Sequence, residues 1–117
     1  MGNVDVPFSP IVVVDNVAYV SGQLPIDEKG DLAVGVGPQT TQCLSNLLHI
    51  LKKEGFDLKD VVKTTVYLTD FAKFGEMNSA YIDFFNGIKP ARSACGVSML
   101  AKGATVEIDC IAMKKRF

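Results

Sequence analysis

Polar and apolar positions alternate along some stretches of this chain and recur every three or four residues along others. Residues 12–14 and 17–20 are two β-rich runs separated by Asp15-Asn16, which predicts a tight hairpin. Ser21-Gly22-Gln23 and Pro25 end the second run. Residues 27–37 read as loop, with a short strand expected at 32–34. Leu44, Leu47, Leu48 and Leu51 form one stripe at helical spacing, so a helix is expected from Pro38, a residue that suits the first helical position, to just before Gly55. Residues 61–69 read as the clearest strand, with Val62, Thr64, Val66 and Leu68 on one face and Lys63, Thr65, Tyr67 and Thr69 on the other. Asp70 is placed to cap a second helix reaching about Phe85, whose inner stripe is Phe74, Met77, Tyr81, Phe84 and Phe85. Residues 93–100 and 105–113 read as a final hairpin around Ala101-Lys102-Gly103-Ala104.

The predicted order is ββ(β)αβαββ. It describes one α+β domain over residues 1–117, a mixed sheet with two helices on one face. Val13, Val20, Val61, Tyr67, Ile111 and Met113 cannot all point into a single core. Composition sharpens that problem, because 48% of the residues are hydrophobic and the mean hydropathy is +0.22. The open sheet face is therefore expected to be covered by copies of the same chain in a closed oligomer.

Charge and cysteine usage narrow the function classes. A net charge of -1 and a pI near 5.7 give no electrostatic pull toward nucleic acid or an anionic membrane. No apolar run is long enough to span a bilayer. The N-terminal stretch has no basic region followed by an apolar one, and Gly2 lacks the Ser or Thr of a myristoylation signal, so no targeting signal is expected. Cys43, Cys95 and Cys110 are odd in number and without CxxC spacing, which predicts reduced thiols in the cytoplasm rather than disulfides or structural zinc. His49 is the only histidine and falls beside the leucine stripe, on the helix surface. No metal, histidine-based nucleophile or phosphate-binding cofactor is expected.

Two charges remain as candidates for chemistry. Arg92 is one of two arginines, with Arg116, in a chain that otherwise uses lysine. It enters a strand among small and apolar neighbours, Ala91, Ala94, Cys95, Gly96 and Val97. A guanidinium there offers a planar fork that grips a carboxylate or phosphate at two points. Glu107 sits between Val106 and Ile108 in the last strand, so its carboxylate is either solvated or held in a pocket.

Six motifs in order resemble the YjgF family, also called the Rid family of reactive intermediate (imine) deaminases. They are Pro7-Phe8-Ser9-Pro10, Val20-Ser21-Gly22-Gln23-Leu24-Pro25, Val62-Lys63-Thr64-Thr65-Val66, Asn78-Ser79-Ala80-Tyr81, Pro90-Ala91-Arg92-Ser93 and Val106-Glu107-Ile108-Asp109. The resemblance implies a chorismate-mutase-like α+β fold, a homotrimer with clefts between subunits, and hydrolysis of 2-imino or enamino acids such as 2-aminoacrylate to 2-oxo acids and ammonia. It implies that Arg92 binds the substrate carboxylate and that Glu107 handles the catalytic water. Ser21, Gly22 and Asn78 match pocket-lining positions. Phe8 stands where some members have tyrosine. Ala94 stands where some have cysteine, and Cys95 follows it; a backbone role at that position survives the exchange. Ala101 replaces a proline usual in the turn.

Imine hydrolysis needs an oriented water and proton transfers, and neither a metal nor a covalent nucleophile. Arg92 would orient the substrate, and Glu107 would act as base toward water and then as acid toward ammonia. In the expected hairpin, Glu107 lies opposite Val97 or Ser98 and Arg92 is five residues further along, roughly 16 Å, which points to a site shared between subunits. Two other functions compete: a regulatory module that binds a 2-oxo or amino acid without turnover, and RNA cleavage, whose only basic support is Lys114-Lys115-Arg116.

Overall fold

The computed structural model describes residues 6–115. Residues 1–5 and 116–117, which hold most of the N-terminal stretch and the Arg116 end of the basic cluster, lie outside the described residues. The chain forms β1 (Ile11–Val14), β2 (Val17–Gln23), α1 (Val36–Lys53), β3 (Val61–Leu68), α2 (Phe74–Phe85), β4 (Ala91–Gly96) and β5 (Val106–Met113). The strands lie in one sheet in the order β1-β2-β5-β3-β4. Both helices cover one face, and a single core cluster lies between them and the sheet.

The first hairpin forms as its sequence predicts, with Asp15 at φ 53 in the turn. The strand expected at 32–34 reduces to one bridge, Ile26 to Leu32. Helix α1 begins at Val36, two residues earlier than its proline implies. Gly35 at φ 98 turns the chain into it, and the first helical bond runs from Gln39 N–H to Gly35 O at 2.9 Å. Pro38 therefore occupies a first-turn position whose N–H has no helical acceptor in any case. Val36, Thr40, Cys43, Leu44, Leu47 and Leu51 are buried, whereas Leu48 is half-buried.

In β3 the inward face starts at Val61, because a register shift between Val61 and Lys63 turns Val62 outward, where it is 42% exposed. Asp70 caps a 3-10 turn rather than α2 directly: its Oδ1 accepts from Ala72 N–H at 3.0 Å, and α2 continues from Phe74. The expected last hairpin does not form. Strand β4 pairs in parallel with β3, and β5 pairs antiparallel with both β3 and β2. The unit β3-α2-β4 is a crossover, the connection that parallel strands require. Residues 97–105 then carry the chain past β3 to its other edge.

Gln39 fastens that return. It is 4% exposed, and its Oε1 accepts from Thr105 N–H at 2.9 Å, Thr105 hydroxyl at 2.9 Å and Val106 N–H at 3.2 Å. Its Nε2 donates to Ala33 O at 2.9 Å. One helical side chain thus fixes the start of β5 just ahead of Glu107. Gln39→Ala strands the two backbone donors and is expected to cost about 2–4 kcal/mol, read as the shift in urea unfolding at fixed protein concentration. A loss below about 1 kcal/mol contradicts this anchoring role.

A candidate carboxylate and acid–base site divided between two faces of the sheet

Arg92 lies on β4 opposite Thr64 of β3, which lies opposite Cys110 of β5. Thr64 and Cys110 are buried under the helices, so this row belongs to the helix face. The guanidinium reaches α2: Nη1 donates to Asn78 Oδ1 at 2.7 Å, and Cζ lies 4.9 Å from the Tyr81 ring centroid and 5.6 Å from that of Phe74. Among the described residues no carboxylate pairs with it. Arg92 and Asn78 open onto a cavity of about 370 Å³ walled by Tyr81, Ile82, Phe85 and Ile88.

Glu107 lies on β5 opposite Tyr67 of β3, which lies opposite Cys95 of β4. Thr64 and Tyr67 are three residues apart, an odd step, so their side chains point to opposite faces. Glu107, Tyr67 and Cys95 therefore share the open face. Gly22 sits against the carboxylate: a Cβ there would overlap Glu107 Oε2. Burial first, and the Asp109 charge second, hold the Glu107 carboxyl above its ordinary value. Tyr67 hydroxyl donates to Asp109 Oδ2 at 3.1 Å; burial and then the Asp109 charge raise its own pKa.

The remaining candidates divide the same way. Ser21 N–H bonds Pro10 O at 3.0 Å and its hydroxyl donates to Ser9 O at 2.6 Å. These bonds bring the segment carrying Phe8, which is 62% exposed, to the strand end that bears Gly22. Asn78 joins Arg92. Ala94 turns toward the core and Cys95 turns away from it, onto Glu107's face. With the register corrected, Arg92 and Glu107 are two strand spacings and three residues apart, about 14 Å. Their side chains also diverge. No small molecule touches both within one chain.

Sequence reasoning gave Thr64, Tyr67, Tyr81 and Asp109 no part in the site. Tyr81 passes for one more apolar member of its helix stripe. Thr64 has a signal, a hydroxyl in the inward register of a strand. His49 is exposed and lines a separate cavity of about 360 Å³ beside α1 that includes neither Arg92 nor Glu107. Cys43 and Cys110 are buried thiols; burial is the main cause that pushes Cys110 up to about 12 and Cys43 higher still. Among the described residues no three His, Cys, Asp or Glu side chains group to hold a metal, and no helix is long and apolar enough to cross a membrane.

Residues 3–114 match the family model described as Endoribonuclease L-PSP. The chain belongs to the YjgF/RidA family. It is 43% identical over 113 residues to a mouse protein named 2-iminobutanoate/2-iminopropanoate deaminase, covering 95% of this chain and 84% of that one. A RutC family protein of Pyrococcus horikoshii is 42% identical over 111 residues, covering 93% of this chain and 88% of that one. The fold matches that of TdcF from E. coli, solved with bound serine, at a TM-score of 0.90 and 30% identity, covering 94% of this chain and 90% of that one.

The Glu107 environment carries a pH signature. A carboxyl whose folded pKa is raised contributes stability that is present below its unfolded pKa and lost as pH rises through the folded one. Glu107→Gln removes a cost that arises only when the group ionises. The variant is expected to be more stable than the wild type at about pH 7.5 and to lose that advantage at about pH 3.5, read from urea midpoints. Equal midpoint differences at both pH values contradict it.

Proposed function

We propose that this protein hydrolyses 2-imino acids, and their enamine tautomers such as 2-aminoacrylate, to 2-oxo acids and ammonia. The observation that carries this reading is a pair of unspent charges: a guanidinium oriented by Asn78 with no carboxylate partner among the described residues, and a half-buried carboxyl whose pKa is raised. The first suits a substrate carboxylate. The second suits a group that must both take and give a proton near neutral pH. The name of the mouse relative and the serine bound to TdcF, an amino acid with the same carboxylate, support it.

Arg92 holds the carboxylate through the part of its fork that Asn78 leaves open. This orients C2 of the substrate, whose iminium is already electrophilic. Glu107 takes a proton from water as the oxygen adds to C2. The resulting carbinolamine receives that proton on nitrogen. The C–N bond then breaks with its electron pair leaving on ammonia, Glu107 takes the hydroxyl proton as the C2–O bond becomes the carbonyl of the 2-oxo acid, and that proton passes to the released ammonia as ammonium.

Because the two groups face opposite sides of one sheet, the working cleft takes Arg92 from one subunit and Glu107 from the next. The open face supplies the contact. Val12 pairs with Tyr19 and Tyr19 with Ile111; Val14 pairs with Val17 and Val17 with Met113. Val12, Val14, Tyr19 and Met113 are each more than 40% exposed in the single chain. We take the assembly to be a homotrimer, in a cytoplasmic setting that suits three free thiols. Sedimentation is expected to give a trimer; a stable monomer at micromolar concentration overturns the shared cleft.

The regulatory-module reading separates from turnover in two variants. Arg92→Lys keeps the charge and loses the fork, and is expected to lower kcat/KM about ten- to a hundredfold, or about 1.4–3 kcal/mol. Glu107→Gln is expected to lower kcat on the order of a hundredfold while 2-oxobutanoate still binds. Ammonia release from freshly generated imines, with 2-oxobutanoate titrations beside it, measures both. A Glu107→Gln variant with the wild-type rate removes Glu107 as the catalytic group. A wild type that binds 2-oxobutanoate and releases no ammonia is a binding module.

A further inference from the structure

Arg92 is held in place by aromatic rings, and one of those rings is itself fixed by the residue that pairs with Arg92 across the sheet. Thr64, the β3 partner of Arg92, shares a 2.7 Å hydrogen bond with the Tyr81 hydroxyl. Thr64 is fully buried and Tyr81 is 7% exposed, so this is a core bond with no water to replace it. It fixes the tilt of the Tyr81 ring. The face of that ring lies 4.9 Å from the Arg92 guanidinium carbon, with Phe74 at 5.6 Å as a second wall. Phe71 stacks on Phe74 with centroids 4.9 Å apart. Behind Tyr81, Phe85 packs at 4.7 Å. The guanidinium is thus flanked by two rings and tethered at Nη1 by Asn78, with no carboxylate paired to it among the described residues.

We propose that Tyr81, with Phe74 as its second wall, is a positioning residue that presents the Arg92 fork to the substrate carboxylate. The inference rests on the reading of Arg92 as the carboxylate-binding group. A cation held by ring faces keeps its in-plane N–H donors available, because the rings engage only the flat of the fork. A carboxylate holding Arg92 would occupy those donors and compete with the substrate. Thr64 sets the ring, the ring sets the fork, and the fork sets the substrate carboxyl. The two hydroxyls are spent on each other, so their part is to place the ring, not to act on the reacting atoms.

The test uses the full assembled chain and 2-oxobutanoate, with imine turnover alongside. Tyr81→Leu removes the ring face and is expected to weaken 2-oxobutanoate binding about tenfold, raising KM more than it lowers kcat. The double variant Tyr81→Phe with Thr64→Val removes both hydroxyls together and keeps the ring. It frees the tilt of the ring and is expected to weaken binding about threefold, less than Tyr81→Leu does. Phe56→Leu removes a buried ring that packs under Lys114 rather than Arg92, and is expected to lower stability while leaving affinity unchanged. Wild-type affinity in Tyr81→Leu, or an equal loss in Phe56→Leu, overturns the proposal. Should Tyr81→Leu fail to fold, Phe74→Leu tests the half-buried second wall, and unchanged affinity there overturns it equally. The Arg92 Nε–H resonance separates this outcome from failure of the deaminase reading. A protected, ring-shifted signal that is lost in the ring-deleted variant supports positioning even in a chain that turns over no imine. A signal identical in both overturns it even in an active enzyme.

Discussion

Strand β3 is hydrogen-bonded on both edges, to β5 in the antiparallel sense and to β4 in the parallel sense, and side-chain alternation along it disposes of the two candidate charges. Arg92 takes its level from Thr64 and Glu107 from Tyr67. An odd number of residues separates those levels, so the charges leave on opposite faces. A one-residue slip in either pairing would put both on one side, but it would also turn a whole strand's apolar set out of the core. The register is therefore held by the hydrophobic pattern, and the division of the site between faces follows from core packing.

The surroundings of Glu107 run against local stability. Gly22 gives up a side chain, the β2 ladder shifts register between Val20 and Gln23, and the carboxyl is left half-buried, its pKa raised by burial and then by the Asp109 charge. Each is unfavourable for a carboxylate that must ionise. The compensating contacts lie one turn of chain away, where Gln39 satisfies Thr105 and Val106 and the buried Val106 and Ile108 flank the glutamate on the core side. Strand β5 is pinned on its inner face so that its outer face can carry a destabilised group.

Much of this fold is legible in the chain. The first hairpin, both helices and the last strand follow from turn chemistry and periodicity, as does the exposed apolar face. Three features resist. The pairing of β4 is decided by long-range contacts with β3, and a helix between two strands is the local pattern that points to a parallel crossover, whereas Lys102-Gly103 near two strand-like runs points to a hairpin. The shift at Val61–Lys63 leaves no mark, since Val61 and Val62 are the same residue type. Pro38 marks a helix start to within one turn only, because the first four N–H groups are unpaired alike. At the site, Arg92 and Glu107 stand out as rare charges among apolar neighbours. Tyr81 and Thr64 do not, because their part depends on a contact between two elements that sequence spacing does not show.

The way Arg92 is restrained bears on what the cleft does. A mobile arginine would lose much of its rotamer freedom on binding a small carboxylate, and that loss would subtract from an affinity that has few atoms to draw on. Holding it with a buried carboxylate would remove the entropy cost but neutralise the charge the substrate needs. Aromatic faces and a neutral amide restrain the guanidinium, and no carboxylate among the described residues pairs with its charge. On the proposed reading, a ligand of a few heavy atoms has its carboxylate as its strongest handle, and that preorganisation would decide whether the reacting carbon is placed closely enough for a carboxyl from the adjoining subunit to deliver water to it.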